Sequence, residues 1–194
     1  MDLLKQRILT HGKNLGNGIL KVDRFINHQV DPTLMDECGK EFARLFANTP
    51  AIKILTAEIS GIAPALMTGK YLELPVVYAR KTKPVTMPSD VYLTVAPSHT
   101  KGRNTELIVS PEYLGRGEDV LIIDDFLASG ATIAGLVRLA EVAGARVVGI
   151  GTLIEKTFEG GRALLSTLGV PIQSLVSISS MDDGKIEFTD EFYV

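Results

Sequence analysis

The chain has 194 residues, of which 45% are hydrophobic and 22% charged, and its formal net charge is −3 at pH 7. This length suffices for one domain with a buried core, and no apolar run approaches the ~20 residues that span a bilayer. The mild acidity gives no support for nucleic-acid binding, which usually needs a basic surface. The charged, amphipathic N-terminus does not resemble a signal peptide, and the single cysteine, Cys38, cannot form an internal disulfide. We therefore expect a soluble, cytoplasmic protein that contacts neither membrane nor nucleic acid.

Helices and strands alternate along most of the chain. Helices are predicted over 1–12, from the Asp31-Pro32 cap to Thr49-Pro50, and over 63–72, 131–143 and 161–168. Strands are predicted over 52–57, 76–79, 120–123, 147–154 and 175–178, with a small edge strand at 185–188, whereas 13–30 show no clear period. Short apolar strands alternating with helices indicate an α/β fold with a mostly parallel sheet flanked by helices. Residues 1–194 are expected to form one domain, because repeats and linker-like stretches are lacking.

The segment 81–105 interrupts this alternation. It carries three prolines and scattered charges, with short strands predicted at 91–95 and 106–109. A connection this long in a compact domain is usually a functional lid or partly disordered. Its cations Lys83, Lys101 and Arg103 could reach a phosphate if the segment closes, although a solvated loop is an equally good interpretation.

The most informative stretch is VLIIDDFLASGAT at 120–132. Its strand delivers Asp124 and Asp125 to the carboxyl edge of the sheet, where ligands of open parallel sheets bind. Ser129, Gly130 and Thr132 then open a helix, whose N-terminal N–H groups and dipole suit a phosphate. Gly130 permits close approach by an anion. Adjacent carboxylates repel phosphate and should face neutral hydroxyls, and a ribose 5-phosphate offers both kinds of group.

This stretch resembles the phosphoribosyl pyrophosphate motif of the type I phosphoribosyltransferases. The resemblance implies that family's fold, a mostly parallel central sheet flanked by helices with a small base-binding hood. It also implies that Asp124 and Asp125 hold the ribose hydroxyls. The 5′-phosphate loop would then comprise Ala128, Ser129, Gly130, Ala131 and Thr132.

Two other segments resemble functional loops of the same family. EISG at 58–61 is similar to the family's pyrophosphate loop, which places Ser60 and Gly61 beside the pyrophosphate. Arg80-Lys81 is similar to the start of its mobile catalytic hood. The resemblance therefore implies that Lys81 is catalytic together with the two aspartates.

Four stretches together narrow the resemblance to the bacterial xanthine phosphoribosyltransferases: LKVDRFINHQVDP at 20–32, EISGIAPALMTG at 58–69, DDFLASG at 124–130 and IEK at 154–156. This implies transfer of the 5-phosphoribosyl group from phosphoribosyl pyrophosphate to xanthine, giving xanthosine 5′-monophosphate and pyrophosphate in purine salvage. Lys156 would donate to the purine O6, Leu20 and Asn27 would contact the base, and residues 1–35 would contribute to the hood. The resemblance also implies a homodimer, and Mg²⁺ that is bound with pyrophosphate through few or no protein ligands.

One departure from the family concerns proton transfer. Hypoxanthine–guanine enzymes carry an acid in the loop after the aspartates, where this chain has Ala128. Because xanthine is easily deprotonated, we expect no strong base, and replacement of an acid such as Glu155 would test that expectation. Phe158 could stack on the base, although burial beside a loop is a simpler explanation for it.

Two alternative functions remain open. The first is a related enzyme that uses guanine, hypoxanthine or adenine, since base choice depends on few contacts. The second is a non-catalytic regulator that binds phosphoribosyl pyrophosphate as an effector. The regulator is less favoured, because too few residues precede Asp31 for a winged helix and the chain has no basic cluster.

Overall fold

The computed structural model describes residues 1–97 and 104–189. Its helices are α1 (Asp2–His11), α2 (Pro32–Leu45), α3 (Ile62–Leu72), α4 (Ala131–Ala143) and α5 (Gly161–Leu165). Its strands are β1 (Lys13–Asn14), β2 (Leu20–Lys21), β3 (Lys53–Ala57), β4 (Val76–Ala79), β5 (Tyr92–Pro97), β6 (Asn104–Val109), β7 (Asp119–Leu127), β8 (Arg146–Lys156), β9 (Ile172–Ser180) and β10 (Glu187–Thr189). Among the described residues, no helix has both the length and the apolar character needed to cross a membrane.

The central sheet has the strand order β10-β9-β8-β7-β3-β4. Its strands are parallel except for β10, which pairs antiparallel with β9 at one edge. Strands β1 and β2 form a separate hairpin, and so do β5 and β6. The α/β prediction of a mostly parallel central sheet flanked by helices is confirmed.

Two cores cover the two faces of the sheet. Leu121 and Ile123 of β7 pack on one face with side chains from α1 and α2. The alternate residues Val120 and Ile122 pack on the other face with side chains from α4 and from the β5–β6 hairpin. This is the pattern of a strand buried on both sides, in which successive side chains point to opposite faces.

The β5–β6 hairpin lies over α4 beside the carboxyl ends of the strands. Arg138 of α4 donates a hydrogen bond to the Val95 carbonyl at 2.9 Å and another to Thr94 Oγ1 at 3.3 Å. At the other side of the hairpin, Arg80 and Ile108 exchange two backbone hydrogen bonds of 2.9 Å. These contacts hold the β5–β6 hairpin against α4 and against the residue that follows β4, whereas Lys101 and Arg103 lie outside the described residues.

Several element bounds differ from the prediction, and the unassigned stretch 13–30 acquires structure. Helix α2 ends at Leu45, before the predicted stop at Thr49-Pro50, and the predicted helix 161–168 divides into α5 and a 3₁₀ turn. Residues 13–30, which have no clear sequence period, form the β1–β2 hairpin and a π-helical turn at Asp23–Asn27. The difference that matters for the site is that β7 continues through both aspartates to Leu127, because β8 supplies a pairing partner along that length.

Candidate active site

A cavity of about 250 Å³ opens at the carboxyl ends of β3 and β7. Three polar segments border it: the turn after β3, the residues that follow β4, and the end of β7 with the start of α4. It gathers every residue predicted to be catalytic or to bind phosphoribosyl pyrophosphate: Ser60, Gly61, Lys81, Asp124, Asp125, Ala128, Ser129, Gly130, Ala131 and Thr132. Residues separated by about 70 positions in sequence are therefore neighbours in one concave site, while their individual roles stay predictions.

The two aspartates are adjacent in β7 and both line the cavity. Asp124 is 4% exposed, and burial together with the charge of Asp125 raises the pKa of its carboxyl well above the ordinary value. Burial also raises the pKa of Asp125, although a hydrogen bond with Asp124 and another from Ser60 act in the opposite direction. Carboxylates in such a poorly solvated place favour ligands that donate hydrogen bonds or carry positive charge.

The loop between β7 and α4 has the geometry of an anion site. Gly130 adopts a left-handed conformation with φ of 81° immediately before the first residue of α4. The first N–H groups of α4 have no partner within the helix and point toward its N-terminal end. The hydroxyl-bearing residues Ser129 and Thr132 line the cavity beside them. This arrangement suits a phosphate monoester.

The turn after β3 packs tightly on the aspartate pair. A Cβ atom added to Gly61 would lie 2.5 Å from Asp124 Oδ1. The backbone at this point can therefore approach the carboxylate only because the residue is glycine. The peptide bond between Glu58 and Ile59 in the same turn is cis.

Glu58 connects this turn to the segment after β4. One carboxylate oxygen accepts a hydrogen bond of 2.6 Å from the Lys81 backbone N–H. The other lies 3.7 Å from Arg80 Nε. Glu58 therefore holds the start of the segment that carries both cations beside the cavity, a role that the sequence prediction did not assign to it.

Lys156 lies at the end of β8, the strand next to β7. Its ammonium lies 5.6 Å from the centre of the Phe126 ring and 3.0 Å from Glu159 Oε1. Phe126 lines the cavity. The predicted base-binding lysine therefore lies over the ring of Phe126, which lines the same cavity as the two aspartates.

The other two predicted base contacts lie in the N-terminal segment. Leu20 is buried in the core and Asn27 is exposed at the end of the π-helical turn. Neither is among the described residues that line the cavity. The segment does approach the lysine indirectly, because a Cβ atom on Gly18 would contact Phe158 at 3.4 Å and Glu159 at 3.7 Å.

Sequence reasoning placed Phe126 and Glu58 in functional segments but assigned neither of them an individual role. Beyond the aspartates the side-chain alternation of β7 shifts by one residue, so Phe126 packs toward the α1–α2 core and Leu127 belongs to the α4 core. Strict alternation from Leu121 and Ile123 would place Phe126 on the opposite face. Glu58 is the first residue of the predicted pyrophosphate loop 58–61, so its place beside the cavity was predicted but its contacts with Arg80 and Lys81 were not.

Glu155 is not available as an acid or base at the cavity. It is 1% exposed, and both of its carboxylate oxygens accept hydrogen bonds from Arg162. Ser174 donates a further hydrogen bond of 2.8 Å to it. Within the described residues, no cluster of three or more metal-binding side chains occurs.

A model of the phosphoribosyl transferase domain matches residues 43–162. The chain belongs to the phosphoribosyl transferase family. It is 50% identical over 192 residues to a protein from Shouchella clausii named xanthine phosphoribosyltransferase, covering 98% of this chain and 96% of that relative. Proteins of the same name from Moorella thermoacetica and Latilactobacillus sakei are 48% and 46% identical, over 97% and 98% of this chain and 96% and 98% of their own lengths.

Solved structures of the family agree on the fold. An adenine phosphoribosyltransferase from Rhodothermus marinus has a TM-score of 0.72 at 26% identity, covering 91% of this chain and 97% of that one. The corresponding enzyme from Thermoanaerobacter pseudethanolicus has a TM-score of 0.73 at 23% identity, over 90% and 99% of the two chains. As a family member, the chain is a transferase with the type I phosphoribosyltransferase fold.

Proposed function

We propose that the chain transfers the 5-phosphoribosyl group from phosphoribosyl pyrophosphate to xanthine, forming xanthosine 5′-monophosphate and pyrophosphate in purine salvage. The observation that carries this proposal is the cavity in which the buried Asp124 and the half-buried Asp125 adjoin the N-terminus of α4. The choice of xanthine is supported by relatives of 46–50% identity that bear that name and match over nearly the whole chain.

The aspartate pair is assigned to the ribose. Asp124 and Asp125 are poorly solvated and their pKa values are raised by burial, so the 2′ and 3′ hydroxyls would supply hydrogen bonds that water no longer provides. Negative charge on this side of the sugar also stabilises the positive charge that develops at C1′ as pyrophosphate leaves. The loop from Ala128 to Thr132 would hold the 5′-phosphate and so fix the sugar's orientation.

The pyrophosphate is assigned to the part of the cavity bordered by the turn after β3 and the residues that follow β4. Backbone N–H groups of Ser60 and Gly61 and the side chains of Arg80 and Lys81 would bind it, while Glu58 contacts the Lys81 backbone N–H and the Arg80 guanidinium. The oxygen-rich lining fits Mg²⁺, which prefers oxygen ligands and retains several waters. Mg²⁺ bound with the pyrophosphate would neutralise part of the charge on the leaving group.

The base is assigned to the space above Phe126. Lys156 lies 5.6 Å from that ring and would donate a hydrogen bond to O6 of the purine, while the ring would stack on the base. The amide of Asn27 can both donate and accept, which suits a 2-oxo purine, and Leu20 would complete the apolar contact. Residues 1–35 would thus contribute to the hood of a single domain that spans residues 1–194.

Proton transfer from xanthine would need no strong protein base. The loop position at which related enzymes carry an acid is Ala128 here, and both carboxylate oxygens of Glu155 accept hydrogen bonds from Arg162. We therefore assign the rate acceleration mainly to positioning and charge stabilisation.

One assay separates the proposal from its two alternatives. The chain is incubated with phosphoribosyl pyrophosphate and Mg²⁺, and nucleotide formation is measured with xanthine, guanine, hypoxanthine and adenine in turn. We expect the highest kcat/KM with xanthine. A clear preference for another purine would reassign the base, and no nucleotide from any purine would favour an effector-binding regulator.

We also propose that the protein is a cytoplasmic homodimer. Cys38 is a buried free thiol, as expected where disulfides are rare. The N-terminal region exposes the apolar side chains of Leu9, Leu15 and Ile19, which supports an interface there. Light scattering with chromatography should give twice the mass of the 21.0 kDa chain, and a monomer at micromolar concentration would contradict the proposal.

A further inference from the structure

An ion pair between the half-buried Arg162 and the buried Glu155 lies behind the phosphate loop, outside the cavity. Arg162 forms a two-pronged contact with the Glu155 carboxylate, with Nε 2.8 Å from Oε1. Arg162 also donates to the Ile172 carbonyl at 2.9 Å. Ser174 donates to Glu155, and its oxygen lies 2.9 Å from Thr152 Oγ1. Both carboxylate oxygens are thereby satisfied, and the pair joins β8 and β9 to the start of α5.

The residue before Arg162 touches the phosphate loop directly. The Gly161 N–H donates to the Ala128 carbonyl at 3.0 Å. A Cβ atom on Gly161 would lie 2.7 Å from the Gly130 nitrogen and 2.7 Å from a Leu127 methyl group. Because there is no space between Gly161 and the loop, a displacement of Gly161 must displace the loop as well.

These contacts form a continuous path from the ion pair to the proposed phosphate site. Glu155 fixes the Arg162 side chain, the Arg162 backbone adjoins Gly161, and Gly161 supports both Ala128 and Gly130. We propose that Glu155 and Arg162 are positioning residues that hold the 5′-phosphate loop in its binding conformation. This inference rests on the proposed role of Ala128–Thr132 as that loop.

Energetics also favour a positioning role over a purely stabilising one. A buried ion pair contributes little net stability relative to apolar residues of similar volume, because desolvation offsets the attraction. Removal of Arg162 alone is costly, since it leaves the charge of the buried Glu155 unpaired. A double substitution that removes both charges should therefore leave a folded protein that has lost only the geometric constraint.

The test variant is the double substitution Glu155→Gln with Arg162→Met. We expect KM for phosphoribosyl pyrophosphate and Kd for ribose 5-phosphate, measured by calorimetry, to rise about tenfold to a hundredfold, the scale on which loss of alignment acts. KM for xanthine and the melting temperature should change little. The matched control is Asp119→Asn with Arg146→Met, which removes a two-pronged pair of 2.7 Å contacts at the opposite ends of β7 and β8. This control should leave KM for phosphoribosyl pyrophosphate and Kd for ribose 5-phosphate unchanged.

The outcomes separate this inference from the function on which it rests. If the wild-type chain binds ribose 5-phosphate and the double variant binds it within twofold, the positioning role is refuted while the proposed function stands. If the wild-type chain binds neither ribose 5-phosphate nor phosphoribosyl pyrophosphate, both are refuted. If the double variant does not fold, Arg162→Lys replaces it in the test, since lysine retains the charge but loses the planar fork. The expected result is again a higher KM for phosphoribosyl pyrophosphate with little change in KM for xanthine.

Discussion

Replacing Gly61 with alanine is the sharpest test of how the cavity is built. Gly61 has ordinary right-handed backbone angles, φ −68° and ψ −18°, so alanine introduces no backbone strain and its effect comes from crowding alone. The added Cβ would lie 2.5 Å from Asp124 Oδ1 and closer still to Thr56 Oγ1, whereas ordinary contacts begin at 3.4 Å. The turn and the carboxylate must therefore separate by about 0.9 Å.

This displacement sets the expected magnitudes. Crowding of a well-packed site costs typically about 1–3 kcal/mol, and a misplacement of about 1 Å can lower the rate ~100-fold. We expect kcat/KM for phosphoribosyl pyrophosphate to fall ~100-fold and urea unfolding to show a loss within that range of free energy. KM for xanthine should change much less, because the base is assigned to the other side of the cavity.

Gly115→Ala provides the control for this substitution. A Cβ atom there would meet only the Glu118 carboxylate, at 3.9 Å and beyond, so kinetics and stability should stay near those of the wild-type chain. If Gly61→Ala has the same kcat/KM as the control, the close packing of the turn on Asp124 is not needed for function and the reasoning fails.

Three further predictions concern single side chains. Burial and the charge of Asp125 raise the folded-state pKa of Asp124 above its ordinary 3.8, so ionisation of Asp124 opposes folding above that pH. Asp124→Asn should therefore raise the free energy of unfolding at pH 7.5, and this gain should shrink toward pH 4. An equal gain at both pH values would contradict the prediction. Lys156→Met should raise KM for xanthine ~10- to 100-fold, since a hydrogen bond from a charged group contributes about 1.5–3 kcal/mol, and an equal rise in KM for phosphoribosyl pyrophosphate would argue against base contact. Burial raises the pKa of the Cys38 thiol to about 12, so iodoacetamide at pH 8 should label it in urea but not in the native protein, and rapid native labelling would show that the thiol is accessible.

Local signals predicted the elements whose ends carry strong capping or turn residues. Asp31 begins α2 by accepting hydrogen bonds of 3.1 Å from the Thr33 and Leu34 N–H groups, as its position before a proline predicts. Gly144 ends α4 in a left-handed conformation with φ 73°, which glycine adopts at low cost. These features depend on a few neighbouring residues, so they can be read from sequence.

The end of β7 could not be predicted in the same way. Aspartate has a low strand propensity, and the sequence therefore indicated a strand that ends at Ile123. In the structure, pairing with β8 continues to Leu127 opposite Glu155. Tertiary pairing overrides local preference here, and the shift in side-chain alternation that brings Phe126 into the cavity follows from contacts that lie far apart in sequence.

The site could be predicted where its residues form one contiguous motif, and less well where they come from separate segments of the chain. The run from Asp124 to Thr132 is continuous, and its members were placed together by the fold. Glu58 acts through its contacts with Arg80 and Lys81, more than 20 residues away, and no local pattern indicates such a pairing. The predicted roles of Leu20 and Asn27 rest on resemblance and need a bound ligand to test them.

The central claim is that one cavity holds phosphate, ribose and base in a fixed order, and a crystal structure with xanthosine 5′-monophosphate bound tests it most directly. We predict the 5′-phosphate at the N-terminus of α4, the ribose hydroxyls on Asp124 and Asp125, and the base over Phe126 with O6 toward Lys156. Density for the phosphate outside the loop from Ala128 to Thr132, or for a ribose without contact to the two aspartates, would contradict this account.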